Sequence, residues 1–230
     1  PLVQQDELVG NTLFARFLQY LSQKMPLGQT VRARSEVAYE ALREIIARPR
    51  TTRIVSLASG PAMELRRLLK SITKLDHKVE IFLVDQDEEA LRNGLSALNK
   101  ICADRGDDLP VEFHCLHFSL RQLISPKKGA ESELVHNVLH NVDMVYSMGL
   151  FDYLPLKLAQ RAVSQLFNLI NPDGKLLIGN LARAGGNSWL IEYATAWHLI
   201  YRDTEEMLSL AKGIKNATNK VIVKDKTGGC

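Results

Sequence analysis

The chain has 230 residues, a formal net charge of +3, 46% apolar and 24% charged residues. That length suits one α/β domain plus a modest extension, and the balance is that of a globular protein rather than a disordered one. No apolar run approaches the roughly 20 residues that cross a bilayer, and so small a charge is no argument for nucleic acid.

Residues 6–24 place Leu8, Val9, Leu13, Phe14, Phe17, Leu18 and Leu21 at helical spacing, one apolar stripe. Pro26 and Gly28 break it. A second amphipathic helix is expected to run to about Arg48 and stop at Pro49, with Val37, Ala38, Ala41, Leu42, Ile45 and Ile46 facing inward. The pattern then changes to short apolar runs, 53–58, 79–85, 111–116, 143–147, 175–179 and 220–224. Helix-length segments separate several of them, such as 62–71, 88–100 and 156–170. Strand and helix alternating in this way predict a Rossmann-like, mostly parallel α/β sheet with helices on both faces. The expected organisation is a helical extension over about 1–50 and a cofactor-binding domain over 51–230. Basic residues gather at Arg32, Arg34, Arg48, Arg50 and Arg53, and again from Arg66 to Lys78; on helices flanking a sheet they read as a solvated face.

Ligands of such sheets lie beyond the carboxyl ends of the strands. The first strand leads into Ser56-Leu57-Ala58-Ser59-Gly60-Pro61-Ala62, where small residues at alternate positions let the backbone pass close to a cofactor. The second ends at Asp85-Gln86, and a carboxylate there can accept hydrogen bonds from the ribose hydroxyls of an adenosyl cofactor. The turn followed by an acid about 25 residues on is more specific than either alone. The fourth strand leads into Ser147-Met148-Gly149-Leu150-Phe151-Asp152-Tyr153-Leu154, and Asn171-Pro172-Asp173-Gly174 precedes the fifth.

That order resembles the class I S-adenosylmethionine-dependent methyltransferases over about residues 51–224. The resemblance implies S-adenosylmethionine as cofactor. It places Ser56, Ala58, Ser59, Gly60 and Pro61 in the cofactor loop, Asp85 and Gln86 at the ribose, Ser119 near the adenine, and Met148 and Gly149 beside the methionine moiety. Three positions depart from the pattern: Ser56 stands where the family usually has an acid, and Ala58 and Ala62 where it has glycines. The acid that often meets the adenine is also missing, with His117, Phe118 and Ser119 there instead.

A narrower resemblance rests on Thr30-Val31-Arg32-Ala33-Arg34, the run 54–64, the stretch 147–154, Glu192-Tyr193, and Trp197-His198-Leu199-Ile200-Tyr201-Arg202. Together these are similar to bacterial methyltransferases of extracellular-factor biosynthesis, which make 3-hydroxypalmitic acid methyl ester. They imply a small-molecule acceptor, a 3-hydroxy fatty-acid carboxylate. A carboxylate is already ionised at neutral pH and needs no general base. It needs a cationic clamp, for which Arg202 with Tyr201 is the candidate. An alcohol, phenol or amine acceptor would call on His198 or Asp152 as base, with Tyr153 alongside. The bland alternative makes Trp189–Arg202 the buried face of a helix.

The rivals are an RNA or protein methyltransferase, which would need the basic residues in one stripe beside the pocket, and a binding module without turnover. A dinucleotide oxidoreductase lacks its G-x-G-x-x-G, and the hydrolase G-x-S-x-G and Walker patterns are absent. His136 and His140 share a helical face with Glu133, yet read as a surface helix, and Cys102, Cys115 and Cys230 form no zinc pattern, so no metal is expected. Without a signal peptide's basic-then-apolar order at the N-terminus, the expected address is cytoplasmic. The chain starts at Pro1 and ends at Cys230, just after a strand-like run, which suggests trimmed ends and a missing last strand.

Overall fold

The computed structural model describes residue 8 and residues 10–124, 137–182 and 197–230. Two helices open the chain, α1 (Leu13–Lys24) and α2 (Pro26–Ile46). Five strands follow: β1 (Thr52–Leu57), β2 (Val79–Asp85), β3 (Val111–His117), β4 (Val142–Ser147) and β5 (Ile170–Ile178). Between and after them lie α3 (Met63–Ser71), α4 (Glu88–Ala103), α5 (Leu120–Ile124), α6 (Leu156–Phe167) and α7 (Thr204–Leu210). All the strand pairs are parallel, in the order β3-β2-β1-β4-β5. The chain reverses its direction of travel across the sheet between β1 and β4. A crevice opens at that switch point, beyond the carboxyl ends of the strands.

Alternation of side chains along each strand makes two cores. Val55 and Leu57 of β1 face α6 and α7, with Val145, Phe151, Val163 and Leu166. Ile54 faces α2, α3 and α4, with Leu42, Ile45, Leu65, Leu68, Leu98, Met144 and Tyr146. Helix α2 is thus part of the sheet's packing: Leu42 and Ile45 are fully buried there, each contributing about 1.5–3 kcal/mol of apolar burial.

Three local expectations need correction. Gly28 does not break a helix; Pro26 occupies the first turn of α2, where its missing N–H costs nothing, and Gly28 lies inside. A Cβ on Gly28 would collide with the Ser22 carbonyl, so the residue is there for the close approach of α1 to α2. Residues 220–224 form no strand: Val221 and Val223 are 66% and 56% exposed. The turn expected at 171–174 lies within β5 as a bulge, because Val142 pairs with Ile170 but Met144 with Lys175. The apolar stripe of α1 faces outward, with Leu13 and Phe14 84% and 69% exposed.

Candidate functional site

The loop after β1 takes its shape from three left-handed residues. Ala58, Gly60 and Ala62 have φ of 53°, 48° and 51°, the region that an L side chain enters at a cost of about 1–2 kcal/mol. Alternating them with Ser59 and Pro61 turns the backbone back on itself, and Ala62 becomes the N-cap of α3. Small residues are needed here for conformation, since a Cβ on Gly60 would meet nothing within 4 Å. The Asp85 carboxylate latches the loop: Oδ2 accepts from the Gly60 N–H at 2.8 Å and Oδ1 from the Asp87 N–H at 3.0 Å. Each oxygen retains a lone pair for a further donor. Gly94, which the sequence reading did not single out, supports the loop from α4: a Cβ there would lie 3.2 Å from the Gly60 carbonyl oxygen. A glycine in mid-helix was the available signal.

Beside this loop the ends of β1 and β4 carry hydroxyls buried without partners. Ser59 Oγ and Ser147 Oγ make no hydrogen bond within the protein, and Ser56, Ser59, Tyr146 and Ser147 are each 7% exposed or less. Ser56 and Tyr146 are register partners on adjacent strands. The Glu64 carboxyl, from the first turn of α3, lies beside them; burial raises its pKa, while its own backbone, Tyr146 and Arg34 pull it back. Burial and Glu64 together push the Tyr146 phenol well above its ordinary value. The Tyr146 hydroxyl meets both the Glu64 carboxyl and the Ser56 hydroxyl. Leaving such groups unpaired costs about 1–3 kcal/mol each, which marks the place as built for a polar ligand.

A buried ion pair closes the same end of the sheet. Arg34 Nη1, from α2, donates to Asp152 Oδ2 at 2.7 Å, and the Leu181 N–H donates to Asp152 Oδ1 at 2.7 Å. Arg34 Nη2 lies 3.5 Å from where a Gly149 Cβ would stand. The solvated-face reading of Arg34 is therefore wrong: the residue is 8% exposed and pairs across 118 positions of sequence. Burial raises the Asp152 carboxyl against the pull of Arg34 and the Leu181 N–H, and both its oxygens are engaged.

The other expected residues divide. Asp85, Gly60, Ser59, Ser56, Met148 and Gly149 come together at the ends of β1, β2 and β4, as the fold requires. Ala58 and Pro61 belong to the loop itself. Gln86 follows Asp85, exposed, with its carbonyl 2.9 Å from His117 Nε2. Ser119 caps α5 through Gln122, its hydroxyl donating to Oε1 at 2.8 Å. Arg202 is 4% exposed. Its guanidinium donates to the carbonyls of Phe151 and Leu154 and to Asn180 Oδ1, so it braces the turn after β4 and presents no free fork to an acceptor. His198 is exposed, and residues 197–203 are not helical. Tyr153 is 50% exposed, and its hydroxyl accepts from Trp197 Nε1. Glu192 and Tyr193 lie outside the described residues, as do Glu131, Glu133 and His136; among the described residues no group of His, Cys, Asp or Glu could hold a metal.

Many of the basic residues gathered in the sequence are spent in the structure. Arg50 pairs with Asp143, Arg53 with Glu80, Arg67 with Glu36, Lys74 with Asp76, and Lys78 with Glu80 and Glu112. A cavity of about 2100 Å³ forms an open trough along β5 between α2 and residues 216–225. It meets the site described above along one side, through Arg34, Met148, Asn180 and Arg202. No described helix is long and apolar enough to cross a membrane.

No protein-family model matches the chain, and no curated protein matches its sequence. Solved structures do match. Magnesium protoporphyrin IX methyltransferase (ChlM) from Synechocystis PCC 6803, solved with bound SAH, is similar with a TM-score of 0.56 and 12% identity, over 91% of this chain and 79% of that one. The pyocyanin biosynthetic protein PhzM has a TM-score of 0.56 and 14% identity, over 93% of this chain and 55% of that one. An O-methyltransferase family 2 protein from Planctomyces limnophilus DSM 3776, in complex with apigenin, has 0.51 and 15%, over 90% and 56%. The chain spans just over half the length of the last two. At these identities the likeness is one of fold: the Rossmann-like α/β fold of methyltransferases.

Proposed function

We propose that this chain is an S-adenosylmethionine-dependent methyltransferase acting on a small molecule. The observation that carries the reading is the left-handed loop at 58–62 latched by Asp85, at the switch point of a sheet whose fold is shared with methyltransferases. The buried, unpartnered hydroxyls beside that loop fit the polar methionine end of the cofactor. Asp85 would hold the ribose, the 58–62 backbone would run under the nucleoside, and Met148 and Gly149 would flank the sulfonium. The cofactor supplies an electrophilic methyl group.

The chain's own part is alignment and exclusion of water, which provide much of the rate in an in-line displacement. Arg202 fixes the turn 151–154, and the Arg34–Asp152 pair fixes the same turn from the other side. Tyr153 and Trp197 stand at the surface beyond it and would border the acceptor. The ion pairing of the basic residues supports a small-molecule acceptor over RNA.

Within that class we favour a 3-hydroxy fatty-acid carboxylate, on the likeness of segments 30–34, 54–64, 147–154 and 197–202 to extracellular-factor methyltransferases. Titration calorimetry with S-adenosylmethionine, S-adenosylhomocysteine and NAD tests the cofactor; binding of NAD alone would sink it. Incubation with methyl-labelled cofactor and long-chain 3-hydroxy acids should yield base-labile esters. If no ester forms at any chain length while another small molecule is labelled, the acceptor is wrong and the class stands.

A further inference from the structure

The sequence raises a problem at Ser56: this first strand ends without the acid expected there, so nothing on β1 can neutralise the ammonium group of the cofactor's methionine end. The structure places a different carboxylate at that spot. Glu64, in the first turn of α3, reaches the hydroxyl of Tyr146, which in turn meets that of Ser56, both residues 1% exposed. Arg34 lies within electrostatic reach of Glu64 and beside Gly149, with one nitrogen on Asp152 and the other directed toward the Gly149 backbone.

An α-amino acid group is a zwitterion, and its recognition in a dry site needs one fixed charge of each sign. We infer that Glu64 and Arg34 form that opposed pair, Glu64 taking the ammonium and Arg34 the carboxylate of the methionine moiety. The inference rests on the cofactor reading above and specifies which residues hold the end distal to the nucleoside.

Several features agree with it. The Ser56 and Tyr146 hydroxyls, beside Glu64, would complete the shell around the ammonium and the Glu64 oxygens. The charged groups facing Glu64 are Arg34 from α2 and, behind Arg34, Asp152 from the turn after β4. Arg34 is the cation facing both Asp152 and Glu64, so an ionised Glu64 lacks a full counter-charge until the ammonium arrives, while the second Arg34 nitrogen, beside Gly149, is placed for the carboxylate. Burial holds Glu64 toward its protonated form in the free protein, and an incoming ammonium would ionise it.

The test uses the full chain and two ligands that differ only at the end in question. S-adenosylhomocysteine carries the amino acid group; 5′-methylthioadenosine keeps the thioether-linked nucleoside and lacks it. Calorimetry should show the wild-type protein preferring S-adenosylhomocysteine by tenfold or more. Glu64→Gln, which keeps the shape and removes the charge, should weaken S-adenosylhomocysteine about ten- to a hundredfold, the range for a lost charged hydrogen bond. It should leave 5′-methylthioadenosine within about twofold. Arg34→Lys, which retains a charge for Asp152, should erode the same preference. Ser56→Asp in the Glu64→Gln background should recover part of the S-adenosylhomocysteine affinity. Equal losses for both ligands in Glu64→Gln, or no loss for either, would overturn the assignment while leaving the cofactor reading intact. Failure of the wild-type protein to bind either ligand would instead strike the cofactor reading.

Discussion

Arg202 is where two roles can be separated by one measurement. A substrate clamp keeps its guanidinium free for the ligand, so its removal spares the fold and costs acceptor affinity. A brace does the reverse. Three hydrogen bonds leave the Arg202 guanidinium, to the carbonyls of Phe151 and Leu154 and to Asn180 Oδ1, and its backbone N–H donates to Leu181 at 3.0 Å. Arg202→Met retains the length of the side chain and removes the donors, stranding the Leu154 carbonyl and Asn180 Oδ1 and leaving the Phe151 carbonyl only the Leu154 N–H at 3.3 Å. Each stranded acceptor costs about 1–3 kcal/mol, and partial relaxation makes the sum about 3–5 kcal/mol. At about 2–4 °C per kcal/mol for a chain of this size, the midpoint should fall by about 6–20 °C. Thermal unfolding followed by circular dichroism, with urea unfolding as a second probe, measures it. Arg202→Lys should recover only part of the loss, because one ammonium cannot reach three acceptors set around a planar fork. A midpoint unchanged within about 1 °C, equivalent to under 0.5 kcal/mol, together with weakened binding of 3-hydroxy acids, would refute the brace and restore the clamp.

Asp85→Ala should weaken S-adenosylhomocysteine by about 1.5–3 kcal/mol, and unchanged affinity of the folded variant by calorimetry would remove Asp85 from the site. Gly94→Ala should gain helix propensity, about 1 kcal/mol, yet weaken cofactor binding by pressing on the Gly60 carbonyl; a urea titration and a calorimetric titration of the same sample separate the two. Ala58→Gly should leave stability unchanged or raise it by up to about 1 kcal/mol, because relief of the left-handed strain offsets the greater unfolded-chain entropy. Glu64 is raised above its ordinary pKa in the folded state, so its contribution to stability is present at low pH and declines as pH rises through that folded value. The stability of Glu64→Gln relative to wild type should therefore increase from pH 4 to pH 8 in urea unfolding, and a decrease would mean that Glu64 is ionised and well paired in the free protein.

Strands β1 to β4 were legible to within a residue or so, because their apolar runs are bounded by turn residues; β1, β2 and β4 are largely buried, whereas the edge strand β3 is only partly covered. Asp85 was legible for the same reason, as the polar residue that ends one of those runs. Residues 220–224 show the limit. Lys-Val-Ile-Val-Lys has the composition of a strand, but strand preference is realised only against a partner, and two of its valines stand in solvent. Arg34 shows another. Locally it is one more basic residue on an amphipathic helix; what buries it is Asp152, and no window along the chain contains both. Arg202 stands out in the sequence as a clamp candidate, but two of its partners are backbone carbonyls, which every residue carries and no sequence distinguishes. Glu64 sits two positions past Ala62, and only its packing against Tyr146, on a strand distant in sequence, reveals what it faces.

The bulge in β5 has a bearing on how the protein behaves in concentrated solution. A terminal strand with regular pairing offers a straight row of free amides to any passing chain, and long flat rows of that kind seed aggregates. Here residues 171–174 leave the register, Pro172 has no N–H to offer, and Gly174 is packed so closely against Ile170 and the Asp143 carbonyl that the kink cannot relax. Only Lys175–Ile178 remain as regular ladder, headed by a lysine that is held by Glu44 at 2.5 Å. A row of four residues entered through a charged side chain is a poor template, so this edge is shielded from casual association by its own irregularity.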